Sequence, residues 1–242
     1  MYKGIYVAMT GSTLKMTELE NIANNISNVN TNGFKRTSFA TRLYPLTEGL
    51  AQTQPSVYPD ARAMAANGKL IIDPIQGTIQ NTGTATDLSI SGDGYFVVDV
   101  KGTQNFTRNG SFTIDKDGFL VTSEGYKVLG TTDKPINLGK GTKAAPVIAA
   151  DGTVSVDDNP VGQIKVAKIK DAQNISNSLF SGKSDGPAKG EIKQGSVERS
   201  NVNPMQELVA LISAQRSFDS IQQVIKTFDQ LASRANTEIA KV

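Results

Sequence analysis

The chain of 242 residues contains no histidine, no cysteine and no tryptophan. Without cysteine it can form no disulfide, thiolate nucleophile, iron–sulfur cluster or thiolate-bound zinc site. Without histidine there is no imidazole base, which excludes Ser–His–Asp and Cys–His catalytic sites. Any catalysis would therefore have to rest on carboxylates, lysine, tyrosine or a bound cofactor.

An excess of charge is also lacking, since 25 Lys and Arg stand against 23 Asp and Glu. The basic residues are scattered among acids instead of forming the clustered face of a nucleic-acid binder, so we expect no nucleic-acid partner. No apolar run approaches the 18 residues of a membrane span, so no membrane insertion is expected. The apolar stretch at residues 5–9 ends at Thr10-Gly11-Ser12, which does not fit a cleaved signal peptide. Composition alone indicates a cytoplasmic location or export without such a signal.

The N-terminal segment carries a stripe of apolar and small residues at alternating steps of three and four: Tyr2, Ile5, Met9, Ser12, Met16, Leu19, Ala23 and Ile26. This heptad pattern predicts a helix over residues 2–26. The turn-forming run at residues 28–33, rich in asparagine, predicts where the helix ends.

A second, longer helix is predicted at the C-terminus. Asn203 and Pro204 are typical of an N-cap followed by proline at the first helical position. Apolar residues again step by three and four, and neither glycine nor proline interrupts residues 205–242. The stripe consists of Leu211, Ala214, Phe218, Ile221, Ile225, Phe228, Ala232, Ala235 and Ile239.

The two stripes favour pairing of the terminal helices as a coiled coil. Further apolar residues lie off the stripes: Ile22, Leu208, Val209, Ile212, Val224 and Leu231. A helix that is apolar on more than one face needs more than one partner. The terminal helices are therefore candidate assembly elements.

Between the helices the periodicity changes to two, with short β-rich runs separated by turn signals. The signals are Asp93-Gly94, Asn109-Gly110, Asp117-Gly118, Glu124-Gly125 and Asp151-Gly152, and such pairs indicate hairpins. The sequence thus predicts an α+β fold, with long terminal helices pairing around a central, mostly antiparallel β domain. We expect a terminal helical domain at residues 1–30 and 203–242, an extended connector at 31–79, and the β domain at 80–202. A second connector is expected at residues 182–190.

No segment carries a convincing chemical site. Gly92-Asp93-Gly94 leads into a strand without the third glycine of a dinucleotide loop, so a hairpin turn is favoured. Asp115, Asp117, Gly118 and Glu124 partly match a calcium loop, but β-rich flanks favour a β-turn. Lys35-Arg36 is interpreted as a solvated basic end in preference to a phosphate site. We expect no catalytic residue, metal site or cofactor, and hence no enzyme.

Three segments together resemble the bacterial flagellar basal-body rod family. They are NIANNISNVNTNGFKR at residues 21–36, the run DLSISGDGYFVV at 87–98 continuing through 106–130, and residues 195–230. Within the family, residues 58–83 and the ending Ser233-Arg234-Ala235-Asn236 are most like proximal rod proteins. Distal rod proteins are the close alternative, although Ser217-Phe218 replaces the Ala-Tyr typical of them.

The resemblance implies a structural subunit that polymerises helically through its terminal helices into the hollow drive shaft crossing the periplasm. It implies self-association, contact with other rod proteins, and export by the flagellar type III apparatus without a cleaved signal peptide. Surrounding ring proteins are further candidate partners, and a β domain that mainly docks such a partner is an alternative function. The expected assembly residues are Ile5, Met9, Met16, Leu19, Ala23, Ile26, Leu211, Phe218, Ile221, Ile225, Phe228 and Ala232.

Overall fold

The computed structural model describes residues 2–45, 63–140, 145–176 and 178–239. The chain divides into two compact units. The first, called here the helical unit, comprises Met1–Ile26, Thr37–Ile71 and Pro204–Val242. The second, the β unit, comprises Ser27–Arg36 and Ile72–Asn203. No helix among the described residues is long and apolar enough to cross a membrane.

Both terminal helices form as the sequence predicts. Helix α1 runs over Tyr2–Ser27 and ends in a turn in which the Thr31 amide donates to the Asn28 carbonyl. Helix α2 runs over Pro204–Ile239 and begins at the predicted proline. Its 36 residues span ~54 Å at 1.5 Å per residue, which is long for a chain of this size.

Part of the stretch expected to be a connector is a two-stranded sheet of β1 (Thr37–Pro45) and β2 (Ala63–Ile72). The centre of the predicted connector, residues 46–62, lies outside the described residues. The domain boundaries drawn from the sequence stay a prediction.

The β unit is built mostly from antiparallel pairs, which confirms the predicted α+β class. Its strands are β3 (Ile79–Asn81), β4 (Leu88–Ser91), β5 (Tyr95–Val100), β6 (Thr103–Thr107), β7 (Phe112–Ile114), β8 (Leu120–Thr122), β9 (Lys127–Val128), β10 (Val147–Ile148), β11 (Thr153–Val156), β12 (Asn159–Gln163), β13 (Val166–Ser176), β14 (Leu179–Pro187), β15 (Glu191–Gln194) and β16 (Ser196–Glu198).

The largest sheet has the strand order β13-β14-β6-β5-β9-β8-β7, and β13 also pairs with β5. This extra pairing closes β13, β14, β6 and β5 into a ring. Small sheets β10-β11-β12, β15-β4 and β16-β3 accompany it. Because neighbouring side chains of β5 point to opposite faces, Phe96 and Val98 enter the larger apolar core, whereas Val97 enters a second core with Phe106 and Phe180.

Three of the five predicted turns connect paired strands. Asp117-Gly118 lies between β7 and β8, Glu124-Gly125 between β8 and β9, and Asp151-Gly152 between β10 and β11. The partial calcium loop is therefore a β-hairpin turn, closed by the Gly118 amide donating to the Asp115 carbonyl at 2.9 Å. The β5–β6 hairpin turns at Lys101-Gly102, both with positive φ, a turn that the sequence reading missed.

Three local expectations are wrong. Asp93-Gly94 joins β4 to β5, which belong to different sheets, so it is no hairpin. Asn109-Gly110 joins strands β6 and β7, which do not pair with each other, and a Cβ on Gly110 would lie 1.6 Å from the Leu88 carbonyl oxygen. The glycine thus permits close backbone approach instead of a tight turn. Most of the second connector, residues 182–190, belongs to strand β14, which pairs with β13.

Candidate assembly interface

Helices α1 and α2 lie side by side and run in opposite directions within the helical unit. A Cβ built on Gly4 would lie 3.1 Å from Cζ of Phe228, and one on Gly11 would lie 3.7 Å from Cδ1 of Ile221. Near Gly11, Gln222 Nε2 donates to Ser12 Oγ at 3.0 Å. The glycines leave room for the bulky side chains of α2, so the two helices approach closely here.

At the other end of the pair the contact is polar and buried. Asn25 Nδ2 donates to Glu207 Oε2 at 3.2 Å and to the Thr37 carbonyl at 2.9 Å, while Asn25 Oδ1 accepts from the Thr37 amide at 3.1 Å. Asn21 Nδ2 donates to the same carbonyl at 2.8 Å. Asn25 and Glu207 are 0% and 1% exposed. Because these buried groups find partners only in one arrangement, they fix the register of the two helices.

The structure separates the predicted assembly residues into two groups. On α2 all six are half-buried along the side that carries the contact with α1: Leu211, Phe218, Ile221, Ile225, Phe228 and Ala232. On α1, Ile5, Leu19 and Ile26 are half-buried, whereas Met9, Met16 and Ala23 are exposed. Met9 and Met16 expose 52% and 54% of their surface.

Most of the predicted stripe of α1 lies away from α2, although its member Ser12 accepts a hydrogen bond from Gln222. At about 100° per residue, the stripe through Met9 and Met16 lies roughly 120° around the helix from the face that carries Gly4, Gly11 and Asn25. Sequence reasoning missed these contact residues because it followed apolar side chains, whereas the contact uses small and polar ones. The available signal was the seven-residue spacing of Gly4 and Gly11.

The outer side of α2 carries an exposed apolar patch. Met205, Leu208, Val209 and Ile212 are 69%, 43%, 67% and 54% exposed. They lie on the side roughly opposite the contact with α1. The predicted excess of apolar surface on α2 is thus confirmed.

Beside this patch, a groove of about 410 Å³ is lined by Val209, Ile212, Ser213, Arg216, Ser217 and Ser220. The hydroxyls of Ser217 and Ser220 donate to carbonyls one turn back, at 2.9 Å each. Because these hydroxyls already have partners, contact with an apolar surface would leave neither of them unpaired.

The interpretation of Lys35 as part of a solvated basic end is wrong. Lys35 is 0% exposed, and its Nζ donates to Glu198 Oε1 and to the Ile75 carbonyl, both at 2.7 Å. The Arg36 amide donates to Asn201 Oδ1 at 2.6 Å. This segment is therefore docked within the β unit.

Arg108 completes a buried charge cluster with Lys35 and Glu198. Its Nη1 donates to Glu198 Oε2 at 3.0 Å, and its Nη2 donates to the Gly92 carbonyl at 2.7 Å. Burial lowers the pKa of Lys35 below its ordinary value; Glu198 opposes this shift and Arg108 reinforces it. Among the described residues, no group of three or more carboxylates is placed to hold a metal ion.

Paired terminal helices with exposed apolar faces, and a separate β unit with its own core, are typical of a structural subunit. Three family models match the chain: "Flagella basal body rod protein" at residues 5–35, "Flagellar hook protein FlgE/F/G D1 domain" at 89–156, and "Flagellar basal body rod FlgEFG protein C-terminal" at 193–238. They cover α1, part of the β unit and α2.

Full-length relatives agree with these matches. The chain is 32% identical to the basal-body rod protein FlgG of Borreliella burgdorferi, with 98% of each chain covered. It is 30% identical to FlgF of Caulobacter vibrioides over 100% of both chains, and 29% identical to FlgF of Mesorhizobium japonicum over 99% of this chain and 97% of that one. The chain belongs to the flagellar basal-body rod family.

Proposed function

We propose that this chain is a structural subunit of the bacterial flagellar basal-body rod, which assembles helically through its terminal helices into the hollow shaft that transmits torque. Family membership supports the structural role, because the relatives are basal-body rod proteins. The observation that carries the mode of assembly is the exposed apolar surface on both terminal helices. Head-to-tail contacts that do not close into a ring produce filaments.

Within a subunit, α1 and α2 pair as an antiparallel coiled coil. The proximity of Gly4 to Phe228 and of Gly11 to Ile221 supports this pairing. The two glycines are seven residues apart on α1, and their two partners are seven residues apart on α2, which is the heptad spacing of a coiled coil. Between subunits, the faces left uncovered are the α1 stripe with Met9 and Met16 and the outer patch of α2. Burial of such faces contributes about 25 cal/mol per Å² of apolar surface before ordering costs.

We favour a position in the proximal rod, as for FlgF-like proteins. A position in the distal rod, as for FlgG-like proteins, is the alternative. Residues 58–83 and the ending at 233–236 support the proximal choice, and relatives of both names match over nearly the whole chain. In this position the subunit lies in the periplasmic rod and contacts other rod proteins. It reaches that place through the flagellar type III export apparatus.

The outer patch of α2 gives the sharpest test of assembly. Val209→Asp with Ile212→Asp adds two negative charges to exposed apolar positions. We expect the monomer to fold normally and to fail in assembly, because charged side chains cannot be buried without partners. The matched control, Gln215→Asp with Gln223→Asp, adds the same charge at exposed polar positions of α2.

The readouts are motility of a strain in which the variant replaces the native copy, and electron microscopy of its basal bodies. Lost motility with truncated rods in the first variant, and near-normal swimming in the control, is the expected result. Normal rods in the Val209/Ile212 variant would contradict assembly through this face.

A further inference from the structure

We propose that the buried cluster of Lys35, Arg108 and Glu198, called here the clasp, holds the chain segment that follows α1 and the segment that precedes α2 together at one place on the β unit. It links the segment after α1 to the segment before α2, and none of its residues belongs to the helix faces proposed for assembly. All of its members belong to the β unit.

The clasp brings together three segments that are far apart in the sequence. Lys35 follows α1 by eight positions, Arg108 follows strand β6, and Glu198 ends strand β16 shortly before α2. These segments are the ones whose motifs, NGFKR, FTRNG and SVERSN, carry the family resemblance. The pairing of Lys35 with Glu198 spans 163 positions of the chain.

Glu198 is the centre of the cluster. Its Oε1 accepts from Lys35 Nζ at 2.7 Å and from the Gly77 amide at 2.9 Å, and its Oε2 accepts from Arg108 Nη1 at 3.0 Å. Its backbone carbonyl accepts from the Gly33 amide at 2.8 Å. One residue thus binds the segment after α1 through both its main chain and its side chain.

The fit around the clasp leaves little freedom to shift. Gly33 has φ of +69°, and a Cβ there would lie 2.1 Å from the Asn109 amide nitrogen. Arg199 Nη1 also donates to Asn32 Oδ1 at 3.4 Å. The segment after α1 therefore packs directly on the backbone beside Arg108, where any larger residue would force it away.

The charges of the clasp do not balance, and this makes the proposal testable. Lys35, Arg108 and Glu198 are 0%, 4% and 1% exposed, so two cations share one carboxylate away from water. Removing the Glu198 charge leaves two buried cations without the carboxylate they share, and Asp73 is the remaining acid whose charge acts on Lys35. Removing Lys35 leaves the Arg108–Glu198 pair. Loss of one partner of a buried ion pair is strongly destabilising, so Glu198→Gln is expected to disrupt the clasp more than Lys35→Met does.

Hydrogen exchange of the full chain measures the clasp at the Gly33 and Gly77 amides, which both donate to Glu198. We expect exchange at these amides to accelerate about 100-fold or more in Glu198→Gln and about 10-fold in Lys35→Met. Lys165→Met and Asp133→Asn, which break a more exposed ion pair of the same unit, are the matched controls and are expected to leave these amides unchanged. Equal rates in clasp and control variants would overturn the proposal.

A covalent cross-link decides the case even if Glu198→Gln does not fold. Because the chain has no cysteine, Asn32→Cys with Arg199→Cys introduces the only thiols, one on each of the joined segments. In the Lys35→Met background, a short thiol–thiol cross-linker is expected to restore slow exchange at the Gly77 amide. If the Gly77 amide still exchanges fast in the cross-linked variant while the β5–β6 hairpin remains protected, holding these segments together is not the role of the cluster.

Discussion

The helical unit and the β unit use their apolar residues in opposite ways. In the β unit, residues such as Phe96, Phe106 and Phe180 are almost completely buried in two cores of that unit. On the described parts of the two helices, the buried hydrophobic residues are Leu14, Ile22 and Ala214, whereas many large ones are exposed. The β unit therefore contains the partners that its side chains need, and the helices lack part of theirs.

This difference bears on where each unit obtains its stability. A helix gains most of its stability from packing of its apolar face, and ordering the chain costs free energy at every residue. The helical unit compensates for this cost only in part through the contact between α1 and α2. We therefore predict that assembly of copies supplies the remainder and that the order of the terminal helices depends on partners.

Hydrogen exchange of dilute monomer is expected to show the largest contrast between the units. Amides of β5 and β6, which pair from Phe96 with Thr107 to Val100 with Thr103, should exchange at least about 1,000-fold more slowly than amides in the middle of α1. The physical reason is that opening the β sheet exposes a core, whereas opening the helices exposes surface that is already partly in water. Equal protection in both regions would contradict the comparison.

Truncation of one buried ring tests whether the β unit holds itself together. Phe96 is 0% exposed and packs edge-on against Phe112 at 5.2 Å between ring centroids. Phe96→Ala should lower the free energy of unfolding of the β unit by about 3–5 kcal/mol, through lost burial and the cavity left behind. Hydrogen exchange at the paired amides of β5 and β6, measured at increasing denaturant concentrations, reports this change because both strands lie in that unit.

The control for this substitution is Ile175→Ala on strand β13, where the side chain is 56% exposed. It should change the free energy of unfolding by less than about 1 kcal/mol. A loss at Phe96 as small as the loss at Ile175 would mean that the β unit depends on the assembled rod for its stability as much as the helices do.

Sequence periodicity predicted the two helices well, because an apolar stripe with steps of three and four over many turns fits a helix and does not fit a strand. The predicted α2 stripe includes Ile221 and Phe228, which lie against Gly11 and Gly4 of α1, and its role in assembly stays a prediction. Periodicity did not predict the contacts of α2 with Gly4 and Gly11, since hydrophobic patterning gives no weight to glycine. The exposed stripe of Met9 and Met16 was found, but its partner stays a prediction.

The clasp could not be predicted from local sequence because its members are charged and far apart. Two adjacent basic residues, Lys35 and Arg36, are typical of a solvent-exposed segment. The carboxylate that pairs with Lys35 belongs to Glu198, 163 positions later in the chain. The hairpin turn predicted at Asn109-Gly110 was wrong for a related reason. Its glycine is required by the close approach of the Leu88 backbone, a long-range contact that turn statistics do not contain.

The smallest expected effect is the change in stability when Gly11 or Gly4 of α1 is replaced by alanine, which depends on helix propensity and on packing against α2. Gly11→Ala should stabilise the helical unit by about 1 kcal/mol, because alanine is the better helix former and its Cβ would meet Ile221 at an ordinary 3.7 Å. Gly4→Ala lies in the first turn of α1, where the intrinsic gain is smaller, and it also places its Cβ 3.1 Å from the Phe228 ring, which adds crowding. Thermal unfolding followed by far-UV circular dichroism compares the two variants. Measuring Gly4→Ala again with Phe228→Ala removes the crowding. The same gain with and without the Phe228 ring would show that α1 and α2 do not pack against each other in the monomer, whereas a larger gain without the ring supports the antiparallel pair as the element on which assembly builds.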